Sequence, residues 1–173
     1  HTEEMVGHGE SSSFDTELSR LRNPLDGYLD DVHALRDLYG ADQVSMIVNN
    51  ESSCGIAYVQ STPAAWFESL AFSVVSRNCA TGYYSFAHEL GHNLGCQHDR
   101  PNAGNAAYDF SYGYRSVANQ WRTIMSYAPG QRVQHFSSPL VDYNGEPTGV
   151  AAGQADSADN AETIRSLAAA MAN

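Results

Sequence analysis

Histidines at positions 88, 92 and 98, with a glycine at 95, limit what this chain can fold into more than any other feature. The segment reads His88-Glu89-Leu90-Gly91-His92-Asn93-Leu94-Gly95-Cys96-Gln97-His98-Asp99. On a helix, residues four apart lie one turn apart on the same face, so His88 and His92 can grip one ion. Gly95 can take a positive φ and stop the helix, which lets His98 swing back as a third nitrogen donor. The fold must therefore place a helix, a sharp turn and a returning segment around one point. Three neutral imidazoles leave a fourth position open to water, the pattern of a catalytic metal site rather than a closed structural one. Glu89, beside the first ligand, is placed to reach that water as a general base. Cys96 could close the site as a fourth ligand only by reaching past His98.

The remaining composition bounds the class. A chain of 173 residues, 42% hydrophobic and 17% charged, has room for one compact domain and is neither a disordered nor a coiled-coil protein. Its nine basic residues are all Arg and face 20 acidic ones, a net charge of −11. Such a surface repels phosphate backbones and anionic lipid, so neither nucleic acid nor a membrane is an expected partner, and a soluble monomer is. No apolar run reaches the roughly 18 residues a bilayer span needs. The chain opens at His1 on a polar stretch rather than on Met and an apolar leader, which reads as a processed product.

Along the chain, the first twenty-odd residues are polar and irregular around Ser11-Ser12-Ser13. A backing helix is predicted over 24–39, with Asn23 as cap, Pro24 in the first turn, Leu25, Tyr28, Leu29, Val32, Leu35 and Tyr39 at helical spacing, and Gly40 as the stop. Strands are predicted over Gln43–Val48, Cys54–Val59 and Ala71–Ser76. The metal-binding helix is expected over 82–95, capped by Thr81 and ended by Gly95. Beyond it Gly, Pro, Asn, Ser and Tyr dominate to about Gly153, a loop-rich texture. An Ala-rich helix from Ala158 to Met171, with Ile164, Leu167 and Met171 on one face, closes the chain. The expected fold class is α+β: a twisted mixed β-sheet with a backing helix and an active-site helix, then a loop-rich C-terminal subdomain ending in a helix. Residues 1–95 form the N-terminal subdomain and 96–173 the C-terminal one, together a single catalytic domain.

The pattern HExxHxxGxxHD, followed by Thr123-Ile124-Met125-Ser126-Tyr127, resembles the metzincin zinc endopeptidases, and Asp99 after the third His resembles their reprolysin-like branch. The stretches LRNPLDGYLDDVHALRDLYGAD, CGIAYV, FSVVSRNCATGYYSFAHELGHN and YNGEPTG are similar to bacterial secreted peptidyl-Asp metallopeptidases, so the resemblance covers nearly the whole chain. It implies a metzincin-like zincin fold holding one catalytic Zn²⁺ on His88, His92 and His98, with Glu89 as base and Met125 as the apolar floor beneath the metal. Asp99 could be a ligand, a surface acid or a buried anchor; the resemblance implies an anchor on the backbone near Met125. Tyr127 resembles the astacin and serralysin arrangement, in which such a Tyr reaches the metal or the transition state; the alternative is a core aromatic. By the same resemblance Gly55, Ile56 and Ala57 form the upper rim of a cleft and pair with an extended substrate, rather than merely completing the sheet. Residues 128–136 would wall the pocket beyond the scissile bond. Arg132 there is the natural partner for an acidic side chain, or else an ordinary surface cation. Family members open with a strand and a long helix that this chain lacks, so a propeptide or a separate N-terminal chain is an expected partner.

Three cysteines allow one bridge and one thiol in an exported protein, or three free thiols in a reducing one. A helix of roughly 12 to 14 residues between Cys79 and Cys96 is about 18–21 Å long, beyond the ~7 Å Cα reach of a disulfide. Cys54–Cys79 is the preferred pair, Cys54–Cys96 the lesser option, and Cys96 the expected buried thiol. His1, His8, His33 and His135 lack ligand spacing. The function implied is a secreted, extracellular, bacterial, zymogen-derived zinc endopeptidase that hydrolyses internal bonds of protein or peptide substrates, with a preference for an acidic residue after the cut. The alternative is a secreted zinc-containing binding module without activity, which would have no use for Glu89.

Overall fold

The computed structural model describes residues 1–171. Its first helix corrects the expectation of an irregular N-terminus. The Ser13 hydroxyl accepts from the Thr16 N–H at 3.3 Å and caps α1 (Phe14–Arg22). Asp15 and Glu17 occupy the first turn and Arg20 and Arg22 the last, matching the helix dipole. Phe14, Leu18 and Leu21 are buried along one face. Helix α2 spans only Asp31–Tyr39, which corrects the predicted 24–39. The first half of that stretch is a chain of side-chain turns: Asn23 Oδ1 accepts from Leu25 N, Asp26 Oδ1 from Tyr28 N, and Asp30 Oδ1 from Asp26 N and Gly27 N. Asn and Asp carboxamide and carboxylate groups offered the backbone a local alternative to the helix. Leu25, read as part of the apolar face, is 88% exposed. Gly40 stops α2 in the left-handed conformation, as expected.

Strands β1 (Val44–Val48), β2 (Gly55–Ala57) and β3 (Phe72–Ser76) form one mixed sheet in the order β1-β3-β2. β1 runs parallel to β3 in the register Val44↔Phe72 to Val48↔Ser76, and β2 runs antiparallel with Gly55 opposite Val75. β3 is buried at every residue. One face of the sheet contributes Met46, Val48, Phe72 and Val74 to a core with Phe14, Leu18, Leu21 and Leu29. The disulfide Cys54–Cys79, with Cα atoms 5.3 Å apart, ties the entry of β2 to the chain leaving β3.

Helix α3 (Ser85–Asn93) is shorter than the predicted 82–95. Tyr84, at φ 57°, stands at its N-cap, and Thr81 accepts the Tyr84 N–H through its carbonyl instead of capping the helix. Gly95 then takes φ +78° and the Cys96 N–H bonds the Gly91 carbonyl at 2.9 Å. The chain reverses into β4 (Gln97–Asp99), which pairs in parallel with β5 (Tyr112–Gly113). The loop-rich texture that follows carries a small sheet of β6 (Arg115–Ser116), β7 (Trp121–Arg122) and β8 (Gln131–Arg132). A hairpin of β9 (Asp142–Tyr143) and β10 (Glu146–Pro147) turns at Asn144-Gly145, both at positive φ. Helix α4 (Asn160–Met171) buries Leu167 completely; the side chain of Met171, read as part of the same face, lies outside the described residues.

The chain coheres differently along its length. The segment through α3 has the larger apolar core. The segment after it has a small cluster of Cys96, Ile124 and Met125, supplemented by bonds such as Ser137 Oγ to the Tyr112 carbonyl at 2.6 Å and Arg100 to the Asp109 carbonyl at 2.7 Å. Among the described residues no helix is long and apolar enough to cross a membrane.

Candidate metal centre and substrate cleft

Two elements bring three imidazoles together. His88 and His92 project from adjacent turns of α3, and the Gly95 reversal delivers His98 from β4. A side chain at position 95 would require the left-handed backbone and would collide with Leu167 of α4. The Nε2 atoms of His88 and His98 lie 3.2 Å apart and those of His92 and His98 3.1 Å apart. Each ring spends its other nitrogen on a backbone carbonyl: His88 Nδ1 on Ile124 at 2.9 Å, His92 Nδ1 on Cys96 at 2.8 Å and His98 Nδ1 on Asn102 at 3.3 Å. Donation from Nδ1 leaves the Nε2 lone pairs aimed at one point. Facing lone pairs repel unless a cation sits between them. Two nitrogens about 2.05 Å from a tetrahedral ion stand about 3.3 Å apart, close to the spacing seen here. The residues therefore fit a metal ion. Burial lowers all three imidazoles; it holds His88 well below its ordinary value, and with His98 nearby pushes His92 down to about 4. They are neutral in neutral solution, the form that ligates.

Glu89 is 6% exposed, and burial pushes its carboxyl up to about 8 against the pull of the Arg132 guanidinium. It lies directly under the edge strand β2. A Cβ on Gly55 would fall 2.5 Å from Glu89 Oε1 and 2.7 Å from its Cγ. Gly55, Ile56 and Ala57 pair with β3 on one side; among the described residues no strand pairs with the other edge, where the Gly55 carbonyl accepts only the Ser53 hydroxyl at 3.3 Å.

Asp99 is buried, accepts the Tyr127 N–H at 2.9 Å and pairs with Arg115 at 3.2 Å. It thereby links the strand carrying His98 to the segment after Met125. Met125 is fully buried against α3. Gly91, whose role sequence reasoning missed, permits this approach: a Cβ there would lie 2.9 Å from Met125 Sδ and from Phe136 Cε1. The Tyr127 ring is 45% exposed and lies against the His98 ring, centroids 4.1 Å apart. Arg132 donates to the Tyr83 carbonyl at 2.9 Å and to the Ser126 carbonyl at 3.5 Å, while its buried Nε has no partner among the described residues. Cys96 is a free, fully buried thiol that burial pushes far up.

Comparison with known proteins agrees with this arrangement. The model of metallo-peptidase family M12 matches residues 2–137. The chain is 39% identical over 176 residues to a peptidyl-Asp metalloendopeptidase of Stenotrophomonas maltophilia, covering 98% of this chain and 40% of that protein. It is 39% identical to one from Xanthomonas campestris, covering 93% of this chain and 37% of that one, and 30% identical to one from Pseudomonas fragi, covering 82% and 74%. The chain thus spans about two fifths of the length of the first two. A chain in a solved structure described as a chaperone–substrate complex is similar in fold, with a TM-score of 0.64 and 17% identity over 93% of this chain and 27% of that one. The family match takes in more than half of the chain and the bacterial relatives cover nearly all of it, so the chain belongs to metallo-peptidase family M12.

Proposed function

We propose that this chain is a zinc-dependent endopeptidase that hydrolyses internal peptide bonds with Glu89 as general base. The observation that carries the reading is the convergence of three lone-pair-presenting imidazoles beside a buried glutamate under an edge strand. His88, His92 and His98 would hold the ion through Nε2. A bound zinc supplies Lewis acidity to the scissile carbonyl and to the attacking water. Glu89 removes a proton from that water and returns it to the leaving amine, from its buried position under Gly55. Substrate lies extended along β2, bonded to the backbone of Gly55, Ile56 and Ala57. Tyr127, beside His98, offers its hydroxyl to the developing oxyanion, while Met125 floors the centre and Asp99 anchors the turn after it. Residues 1–95 make the N-terminal subdomain and the chain from 96 onward the C-terminal one of a single catalytic domain.

The names of the bacterial relatives and the half-buried Arg132 support a preference for an acidic residue after the cut. The protein acts outside the cell as a monomer. Casein hydrolysis with and without a chelator, beside Glu89→Ala, tests the reading. Activity is expected to vanish with chelator, return with zinc and fall at least 10²-fold, roughly, in the variant; activity surviving both treatments overturns it.

A further inference from the structure

A third of the chain's cationic side chains occupy one six-residue sheet. Arg115 is the register partner of Arg122 across β6 and β7, and Arg122 is the register partner of Arg132 across β7 and β8. Register partners on neighbouring strands present their side chains on the same face. Three guanidinium groups therefore stand side by side in a protein with nine Arg, no Lys and 20 acidic residues. Among the described residues the row has one ion pair, Arg115 to Asp99 at 3.2 Å, at the end far from Arg132. Among the described residues Arg122 and Arg132 have no carboxylate within ion-pair distance, although Asp99 acts on Arg122 and Glu89 on Arg132 from farther off.

What holds the like charges together is backbone. Arg122 Nε donates to the Gly130 carbonyl at 2.9 Å and its Nη1 to the Ser126 carbonyl. Arg132 Nη2 shares that same Ser126 oxygen at 3.5 Å, and Arg115 donates to the Ala128 carbonyl at 3.1 Å. Arg122 thus braces both ends of the 126–130 loop that leads from Met125 to Arg132. Each neighbour also weakens the next: Arg132 is pushed down to about 10, first by burial and then by Arg122. Two half-buried guanidinium groups without a carboxylate in direct contact, one of them with an unpartnered Nε among the described residues, are suited to receive an anion.

We propose that Arg122 is a specificity-positioning residue: from the middle of the row it sets the loop that aims Arg132 and supplies the second positive charge that a carboxylate on the substrate's side chain neutralises. This rests on the reading of Arg132 as the contact for an acidic residue after the cut. The selected chemistry is then a carboxylate rather than its neutral carboxamide isostere, which leaves the cation unpaired.

The zinc-loaded chain is assayed on matched peptides carrying Asp or Asn after the cut, with metal content and thermal midpoint measured for each variant. Arg132→Gln is expected to bring the Asp/Asn ratio of kcat/KM close to one. Arg122→Gln is expected to lower that ratio on the order of tenfold, the effect of one unit charge about 6 Å from the ligand at an effective dielectric constant of about 40. Arg122→Lys, which keeps the charge and loses the fork to Ser126 and Gly130, falls part of the way. A residue with a merely structural role would depress both peptides alike and leave the ratio unchanged. A wild-type ratio in Arg122→Gln beside a collapsed one in Arg132→Gln overturns this inference alone. A wild-type ratio in Arg132→Gln overturns the reading of the pocket on which it rests. Should Arg122→Gln fail to fold, a wild-type ratio in Arg122→Lys overturns the inference and a lowered one supports it.

Discussion

Replacing Gly55 with Ala should disable the proposed enzyme without unfolding it. The backbone at 55 is an ordinary extended strand, so alanine adds no backbone strain there and reduces the freedom of the unfolded chain, which offsets the shift it forces on Glu89. The added methyl, however, would sit 2.5 Å from Glu89 Oε1, 2.7 Å from Cγ and 2.8 Å from Cδ. Ordinary contact begins at 3.4 Å, so the carboxyl must retreat by close to 1 Å. A displacement of about 1 Å in a reacting group costs on the order of 10²-fold in rate. The three imidazoles are fixed by Ile124, Cys96 and Asn102 and do not depend on position 55. The expected result is a drop in kcat/KM of about 10²-fold on a fluorogenic peptide, with one zinc per chain by elemental analysis and an unchanged or slightly raised thermal midpoint. A Gly55→Ala protein that binds zinc fully and stays within threefold of wild-type activity, roughly, would refute the claim that the position of Glu89 limits the reaction.

Two further outcomes follow from the same geometry. Cys54→Ser with Cys79→Ser opens a loop of sequence separation 25, and loop-closure entropy puts the loss near 3.5 kcal/mol, roughly; an unchanged urea midpoint would contradict this. In the metal-free protein, stability should peak near pH 6.5. Glu89, raised to about 8 from 4.5, makes the folded state the tighter proton binder between those values, so stability climbs as pH falls from 8. Below 6.5 the unfolded chain takes up protons that three lowered imidazoles refuse, and stability falls toward pH 4. Urea midpoints of the chelated protein between pH 9 and 5 check this, and Glu89→Gln should flatten only the alkaline limb.

The three-histidine cluster was legible in sequence because its information is local. A four-residue spacing, a turn-forming glycine and a returning histidine describe one continuous piece of chain, and the structure assembles it as such. The Cys54–Cys79 pair was partly legible: the helix takes Cys96 out of reach of Cys79, while Cys54–Cys96 stayed open until the structure showed Cys54–Cys79. The beginning of the chain was misread because the serine triplet looks like a linker, whereas its last member is a helix cap. Asn23, Asp26 and Asp30 sit at spacings compatible with a helix, and only their side-chain turns show why none forms over 24–30. The roles of Gly55 and Gly91 are close approaches between distant segments, which carry no local signature. The Arg115–Arg122–Arg132 row depends on the register of two-residue strands, which no periodicity encodes.

The Gly95 reversal has a consequence for how damage would show itself. It is pressed against Leu167, so α4 sets the angle at which His98 meets the two imidazoles of α3. Docking of the segment after α3 and affinity for the ion are therefore one linked free energy. A substitution in α4, far from the cleft, would announce itself first as a protein that surrenders its metal to weaker chelators while its spectrum still looks native. Chelator titration is in effect a strain gauge on the C-terminal packing.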